Sequence, residues 1–290
     1  MSSSKPPLSI IVPAKDEAES LAILLPKLRR LHPRAEIVVV DDGSHDATAD
    51  TARRAGAVVI SHPYSLGNGA AVKSGVRAAK GELLVCMDAD GQHAPEDIAR
   101  LLATYAEGYD MVVGARIGAS QASLGRYAAN GLYNILASWM VGHSIPDLTS
   151  GLRAANAARF REFLHLLPNG FSYPTTITMA FFRAGYRVGY LPIKASRRQG
   201  RGSHIKPLRD GLRFLIIIFK IATLYSPLKI FLPISGAFFL LGLGHYVQTF
   251  LASHTFTNMS ALLFITSMLV FLIGLVSEQI TTLLFMRQQP

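Results

Sequence analysis

Two segments near the C-terminus constrain this chain more than anything else in it. Ile230–Ala252 contains no Asp, Glu, Lys or Arg, and Ser260–Met286 contains only Glu278. Each exceeds the roughly 20 residues that cross a hydrocarbon core as a helix. Such segments fold either as buried core helices or as membrane spans. A hairpin of this length and apolarity suits lipid better, because a helix satisfies its own backbone where no water is available. The sequence therefore predicts two spans, about 230–252 and 260–286.

The net charge of +10 sharpens this reading through its location. Between Lys194 and Lys229 nine Lys and Arg face one acid, Asp210, a local excess of +8 directly before the first span. Basic residues beside a span mark the cytoplasmic side and attract anionic lipid headgroups. Arg287 follows the second span, and the connector 253–259 has no Lys or Arg. Both ends are thus expected in the cytoplasm, with the connector outside. A nucleic-acid partner is not expected, since the basic cluster abuts the hairpin. The segment Pro207–Tyr225 is apolar with basic punctuation and predicts a helix in the membrane interface.

At the other end, the apolar run Leu8–Val12 is too short for a signal peptide and stops at Pro13. The single cysteine, Cys86, excludes an internal disulfide and lies in a strand-like apolar run, where a packed thiol is expected. The first 115 residues alternate strand and helix signals. Strands are predicted at 8–13, 36–40, 57–60, 82–87 and 110–114. Helices are predicted at 17–31, 47–55, 70–80 and 95–107, the first carrying a leucine stripe at 21, 24, 25, 28 and 31 and an awkward Pro26. Further helices are predicted near 127–141, 155–166 and 176–184. This succession predicts an α/β fold with a mostly parallel sheet, helices on both faces, and functional loops at the carboxyl ends of the strands.

Three of those loops carry chemistry. Asp88 and Asp90, in Met87-Asp88-Ala89-Asp90-Gly91-Gln92-His93, project to the same side after a strand. Hard oxygen ligands in that arrangement suit Mg²⁺ or Mn²⁺ shared with phosphate, and Gln92 can add a neutral oxygen. An acidic turn is the bland alternative. Asp41 and Asp42 end another strand and can accept hydrogen bonds from a nucleobase or ribose, while Ser44 or Asp46 can cap the next helix. Gly67 and Gly69 enter a helix, where they either admit a phosphate to backbone N–H groups or form a plain turn. The G-K-[ST] ending of a P-loop is absent.

Together the motifs IIVPAKDEAES (10–20), VVVDDGSHDAT (38–48), LGNGAAVKSG (66–75), MDADGQH (87–93), VVGAR (112–116), DLTSGLR (147–153) and RQGRGSHI (198–205) resemble family 2 glycosyltransferases of the GT-A fold. The resemblance is closest to the polyprenyl-phosphate branch, which includes dolichol-phosphate mannose synthases and bactoprenol glucosyltransferases. It implies a domain at 1–206 that transfers a hexose from a nucleotide-sugar to a polyprenyl (undecaprenyl) phosphate with inversion. An interfacial helix at 207–229 and a transmembrane hairpin at 230–290 would hold it at the cytoplasmic membrane among membrane lipids. UDP-glucose or a related UDP-sugar is the expected donor, with GDP-mannose the alternative. A homo-oligomer is left open.

The resemblance also distributes roles. Pro13, Ala14, Glu17, Asp41 and Asp42 fall on the base and ribose site. Asn68, Lys73 and Ala89 join the nucleotide-sugar site, and Asp88, Asp90 and Gln92 form the metal motif. Arg116 and Arg126, with Asn130 beside them, fall where the acceptor phosphate is held. Asp147 lines the sugar or acceptor pocket. Arg198 and Ser203 belong to a basic loop closing over the pyrophosphate, where His204 replaces a frequent Lys and Arg201 can compensate. Taken singly, each arginine reads as solvated surface charge. Two other readings compete. A processive polysaccharide synthase expects a Q-x-x-R-W segment, whereas the only tryptophan, Trp139, follows Ser138. A non-catalytic scaffold binding nucleotide or lipid fits poorly with intact acidic motifs.

Overall fold

The computed structural model describes residues 7–116, 124–170, 173–194, 219 and 223–286. The chain divides into two compact units, Met1–His204 and Ile205–Pro290.

The first unit is built on one seven-stranded sheet. Its strands are β1 (Leu8–Ala14), β2 (Glu36–Asp41), β3 (Val58–Ser61), β4 (Leu83–Cys86), β5 (Met111–Arg116), β6 (Arg153–Asn156) and β7 (Val188–Ile193), ordered β3-β2-β1-β4-β6-β5-β7. All run parallel except β6, which is antiparallel to both β4 and β5. The helices of this unit are α1 (Ala18–Leu31), α2 (Thr48–Arg54), α3 (Asn68–Ala78), α4 (Asp97–Ala106), α5 (Leu124–Val141), α6 (Ala157–Glu162) and α7 (Tyr173–Arg183).

The predicted leucine stripe of α1 faces the sheet. Leu21, Leu24, Leu25 and Leu28 are buried against Ile10, Val12, Ile37 and Val39. Each such leucine contributes roughly 2 kcal/mol of hydrophobic stabilisation. The helix runs through Pro26 without interruption. On the opposite face α3 packs so closely that a β-carbon on Gly75 would lie 2.5 Å from Cγ2 of Ile11. Helices therefore cover both faces, as parallel strands require.

Strand β1 lies between β2 and β4, so the connections on its two sides diverge there. Open α/β sheets bind ligands in the crevice at such a switch point, beyond the carboxyl ends of the strands. Here those ends carry Pro13 and Ala14 on one strand and Met87–Asp90 after the other.

Two short strands escaped the sequence reading. Arg153–Asn156 has the sequence RAAN, with no β-branched residue, and its last two residues fall in the helix predicted at 155–166. Its pairing between β4 and β5 makes it a strand despite weak local propensity. Val188–Ile193 likewise gains strand structure by pairing along β5.

The second unit contains α8 (Pro227–Ser253) and α9 (Asn258–Met286), an antiparallel hairpin. Both helices are long and apolar enough to cross a membrane. They are not core helices, since Leu240, Leu251 and Leu283 are 66%, 75% and 63% exposed. Where the helices touch, small residues allow close approach: a β-carbon on Gly274 would lie 2.5 Å from Cβ of Phe231. The hydroxyls of Ser235 and Ser267 each donate to the other residue's carbonyl at 2.9 Å. Most of the predicted interfacial helix lies outside the described residues.

Candidate functional site

The switch point opens into a cleft of about 480 Å³. Pro13, Ala14, Lys15 and Glu17 line it after β1, and Asp42, Ser65, Gly67, Asn68 and Ala71 line it from the neighbouring loops. Asp88, Ala89 and Asp90 form its far wall with Thr149 and Pro174. The structure thus gathers Pro13, Ala14, Glu17, Asp42, Asn68, Asp88, Ala89 and Asp90 on one cleft. Asp41, Lys73, Gln92, Arg116 and Asp147 are not among the residues that line it. The backbone of Arg126 and Asn130 lies on α5, and Arg198 and Ser203 lie outside the described residues.

The motif after β2 is a capping device for its neighbour. The backbone N–H groups of Asp16, Glu17 and Ala18 donate to Ser44 Oγ (2.9 Å), Thr48 Oγ1 (2.9 Å) and Asp46 Oδ2 (3.1 Å). Thr48 and Asp46 thus satisfy the donors opening α1, and Asp46 Oδ1 also accepts from Thr48 N at 2.9 Å at the start of α2, whose N-cap is Ala47 rather than Ser44 or Asp46. Asp41 Oδ1 accepts from Ser44 N at 3.0 Å.

Asp42 organises the loop that enters α3. Its Oδ1 accepts from His62 Nδ1 and from Leu66 N, both at 2.8 Å. Its Oδ2 accepts from Ser65 Oγ at 2.7 Å and Gly67 N at 2.9 Å. A carboxylate has about four acceptor positions, and all are filled. Burial pushes this carboxyl up, but the bonds from His62, Ser65, Leu66 and Gly67 outweigh it and hold the pKa below 3.8. His62 extends the chain of bonds, its Nε2 lying 2.9 Å from Ser74 Oγ on α3.

The glycines at the start of α3 allow close packing against a distant loop, which engages N–H groups of that helix entrance. Gly69 N and Ala70 N donate to the carbonyls of Gly170 (3.2 Å) and Asn169 (3.1 Å). β-Carbons on Gly67 and Gly69 would collide with the backbone of Pro168–Asn169. The helix N-terminus is therefore capped by a distant loop. Lys73 is drawn into the same contact, with Nζ donating to Leu167 O at 3.1 Å and to Asn169 Oδ1. Burial lowers the Lys73 pKa. No sequence signal marked 167–170 as the partner, because the contact is long-range.

On the far side of the metal motif, Arg116 ends β5 and meets Asp147 in a bidentate fork. Nε donates to Oδ2 at 2.7 Å and Nη2 to Oδ1 at 2.9 Å. Nη2 also donates to Thr149 Oγ1 at 2.6 Å, and the backbone N–H groups of Arg116 and Thr149 donate to the same carboxylate. Burial pushes the Asp147 carboxyl up, but Arg116 and these N–H groups hold it below 3.8. The two N–H groups on Nη1 make no bond within this fork. Thr149, a cleft residue, links the fork to the cleft wall and was not singled out from the sequence.

Asp88 and Asp90 fit a divalent cation completed by substrate. Among the described residues no group of three or more His, Cys, Asp or Glu is arranged to hold a metal. Two carboxylates on an open cleft are instead the donor set that Mg²⁺ or Mn²⁺ uses when phosphate oxygens and water supply the rest. Gly91 takes φ +72°, which turns the chain sharply after Asp90. Gln92 N donates to Asp90 Oδ1 at 3.2 Å. His93 is buried with Nδ1 unpartnered, and burial lowers its pKa. Cys86 is buried and its thiol is pushed up to about 12, which excludes a nucleophile there.

Comparison with known proteins gives the family of both units. Residues 9–166 match the family model for Glycosyl transferase family 2, and residues 226–283 match the GtrB C-terminal hairpin. The undecaprenyl-phosphate 4-deoxy-4-formamido-L-arabinose transferase of Proteus mirabilis is 35% identical over 157 residues, covering 51% of this chain. The match spans 48% of that relative, about half its length. Glycosyltransferase AglJ of Haloferax volcanii is 28% identical over 241 residues, covering 81% of this chain and 78% of that protein. Among solved structures, glucosyl-3-phosphoglycerate synthase from Mycobacterium tuberculosis, crystallised with Mn²⁺ and UDP-glucose, superposes with a TM-score of 0.58. That match has 22% identity and covers 73% of this chain and 78% of the other, a likeness of fold.

Proposed function

The chain belongs to glycosyl transferase family 2, in its polyprenyl-phosphate branch with the GtrB-type hairpin, and from that premise we propose that it transfers one hexose from a nucleotide-sugar to a polyprenyl phosphate. The observation that carries this reading is the joining of Asp88 and Asp90 to the Arg116–Asp147 fork through a single cleft wall, with Thr149 between them.

In this reading the donor lies across the cleft. Pro13, Ala14, Glu17 and Asp41 bound the base and ribose, and Asp42 acts by stationing the loop that carries Ser65, Gly67 and Asn68. Asp88 and Asp90, with Gln92 supporting, would hold Mg²⁺ or Mn²⁺. When bound, that cation supplies Lewis-acid stabilisation of the departing diphosphate. Arg198 and Ser203 add positive charge and a hydroxyl over the pyrophosphate.

The acceptor phosphate is already an anion near neutral pH and needs little general-base help. Arg116 offers it the two N–H groups of Nη1, while Asp147 fixes the guanidinium plane. Arg126 and Asn130 complete the acceptor patch. A pre-oriented guanidinium loses less freedom on binding than a flexible ammonium. A phosphate oxygen forms the new bond to the anomeric carbon as the bond to the nucleoside diphosphate breaks on the opposite face, so configuration inverts.

In this reading the two C-terminal helices anchor the enzyme in the membrane with its catalytic domain on the cytoplasmic side, which the excess of Lys and Arg before the first span supports. The preferred donor is a UDP-sugar, on the resemblance to bactoprenol enzymes. The deciding experiment is a donor screen with purified protein, undecaprenyl phosphate and labelled UDP- and GDP-hexoses. One hexose on the lipid is the expected product. A polymer, or no transfer from any donor, would reject the proposal.

A further inference from the structure

We propose that Gly151 is a positioning residue for the divalent-cation site, and that its missing side chain is what stations the Asp88 carboxylate. The inference rests on the reading that Asp88 holds the cation. In the antiparallel ladder between β4 and β6, Cys86 pairs with Arg153. Continuing that register by two residues sets Asp88 opposite Gly151. Side chains at paired positions share a face and lie close together. Here they lie closer than any side chain would permit. A β-carbon built on Gly151 would stand 2.7 Å from Cγ of Asp88, 3.0 Å from its Oδ1 and nearer still to its Oδ2.

Backbone conformation does not explain this glycine, because Gly151 is not among the glycines with positive φ. An alanine could adopt the same torsions, and only the space is denied to it. The backbone at 151 cannot yield either. The Arg116–Asp147 fork pins one end of the segment, with Thr149 bonded to both partners. The other end is held by Arg153, fully buried, whose Nη1 donates to Pro174 O at 2.9 Å and whose Nη2 donates to Ser150 O. Leu148, Ser150 and Leu152 are also fully buried. Asp88 is half-buried and faces the open cleft. Of the two sides of this contact, the carboxylate is the far end of a flexible side chain and gives way before the backbone does. A methyl group at 151 would therefore leave the fold standing and swing Asp88 off its station.

This assigns the segment 147–153 a second task. It holds Arg116 on the acceptor side and sets Asp88 on the donor side, so one rigid strand entry fixes the spacing between cation and acceptor phosphate.

The test is Mn²⁺ binding in the presence of UDP, followed by electron paramagnetic resonance on the full-length protein and its variants. Gly151→Ala should weaken Mn²⁺ by at least about tenfold, the scale seen when a group supporting a metal ligand is altered. Its melting temperature should stay near that of the parent. Gly151→Ala added to Asp88→Ala should weaken binding no further than Asp88→Ala alone, since the two act through one carboxylate. Undiminished Mn²⁺ affinity in Gly151→Ala, beside a clear loss in Asp88→Ala, overturns the inference and leaves the cation site intact. Equal binding by the parent and Asp88→Ala overturns the cation assignment itself, and the inference with it. Should Gly151→Ala fail to fold, removing the carboxylate with Asp88→Ala must restore folding. Failure of that rescue also overturns the inference.

Discussion

Arg116 and Asp147 face each other through two parallel N–H···O bonds of 2.7 and 2.9 Å, with side chains 20% and 6% exposed. The pair is rigid because the carboxylate also takes backbone N–H groups from both Arg116 and Thr149. Removing one partner strands the other without a counter-charge, which costs about 3 kcal/mol in a buried setting. Asp147→Asn is expected to lower stability by about that amount in chemical denaturation. The same variant should raise KM for polyprenyl phosphate more than KM for the donor, because the guanidinium loses its fixed plane. A larger effect on the donor would place the fork elsewhere in the reaction.

The four bonds on Asp42 make a different demand. An asparagine keeps one oxygen and presents N–H groups where either Leu66 N or Gly67 N already points inward. Asp42→Asn is expected to cost about 2 kcal/mol and to raise KM for the nucleotide-sugar, since the loop carrying Ser65 and Asn68 loses its anchor. Parallel measurement of melting temperature and donor KM checks both arms.

Acid should destabilise the fold through these same carboxylates. Asp42 and Asp147 both have pKa values held below 3.8 in the folded state. Each therefore contributes stability that is fully present above that value and is lost as pH falls through the lower folded pKa. Stability measured from pH 6 downward should begin to drop near 3.8 and continue below it. The profile of Asp42→Asn should be flatter over that window. An identical slope in parent and variant would contradict the assignment of Asp42.

Lys73 separates the packing reading of the α3 entrance from the phosphate reading. Its ammonium donates to Leu167 O and Asn169 Oδ1, so Lys73→Met is expected to cost about 1 kcal/mol of stability. Donor affinity should change by less than about threefold, less than 0.7 kcal/mol. A loss of about a hundredfold in donor affinity would return Lys73 to the nucleotide-sugar site.

Much of this was legible before any coordinates. The runs LSIIVP and EIVVV became β1 and β2 within a residue or two, because buried parallel strands are written as continuous apolar runs. The leucine stripe of α1 and the two C-terminal helices were equally plain. Strand β6 was not, since RAAN carries no local preference and owes its conformation to neighbours far along the chain. The cleft residues Asp88 and Asp90 announced themselves through spacing. Asp42 announced itself as an acid, but not that its oxygens would be consumed by His62, Ser65, Leu66 and Gly67. Gly67 and Gly69 were visible as glycines, yet their use depends on Asn169 and Gly170, about a hundred residues away in sequence. Gly151 sat in view within DLTSGLR, and only the register of β4 and β6 gives it a reason.

The central claim is that a cation on Asp88 and Asp90 drives transfer to a lipid phosphate. It is tested most directly by the rate of hexose transfer to undecaprenyl phosphate in the parent and in Asp88→Ala, each with EDTA and then with Mn²⁺ restored. Transfer by the parent is expected to stop with EDTA and return with Mn²⁺. Asp88→Ala is expected to be slower by about a hundredfold or more, the loss of several kcal/mol of transition-state stabilisation. Undiminished transfer by Asp88→Ala, or by the parent in EDTA, would contradict it.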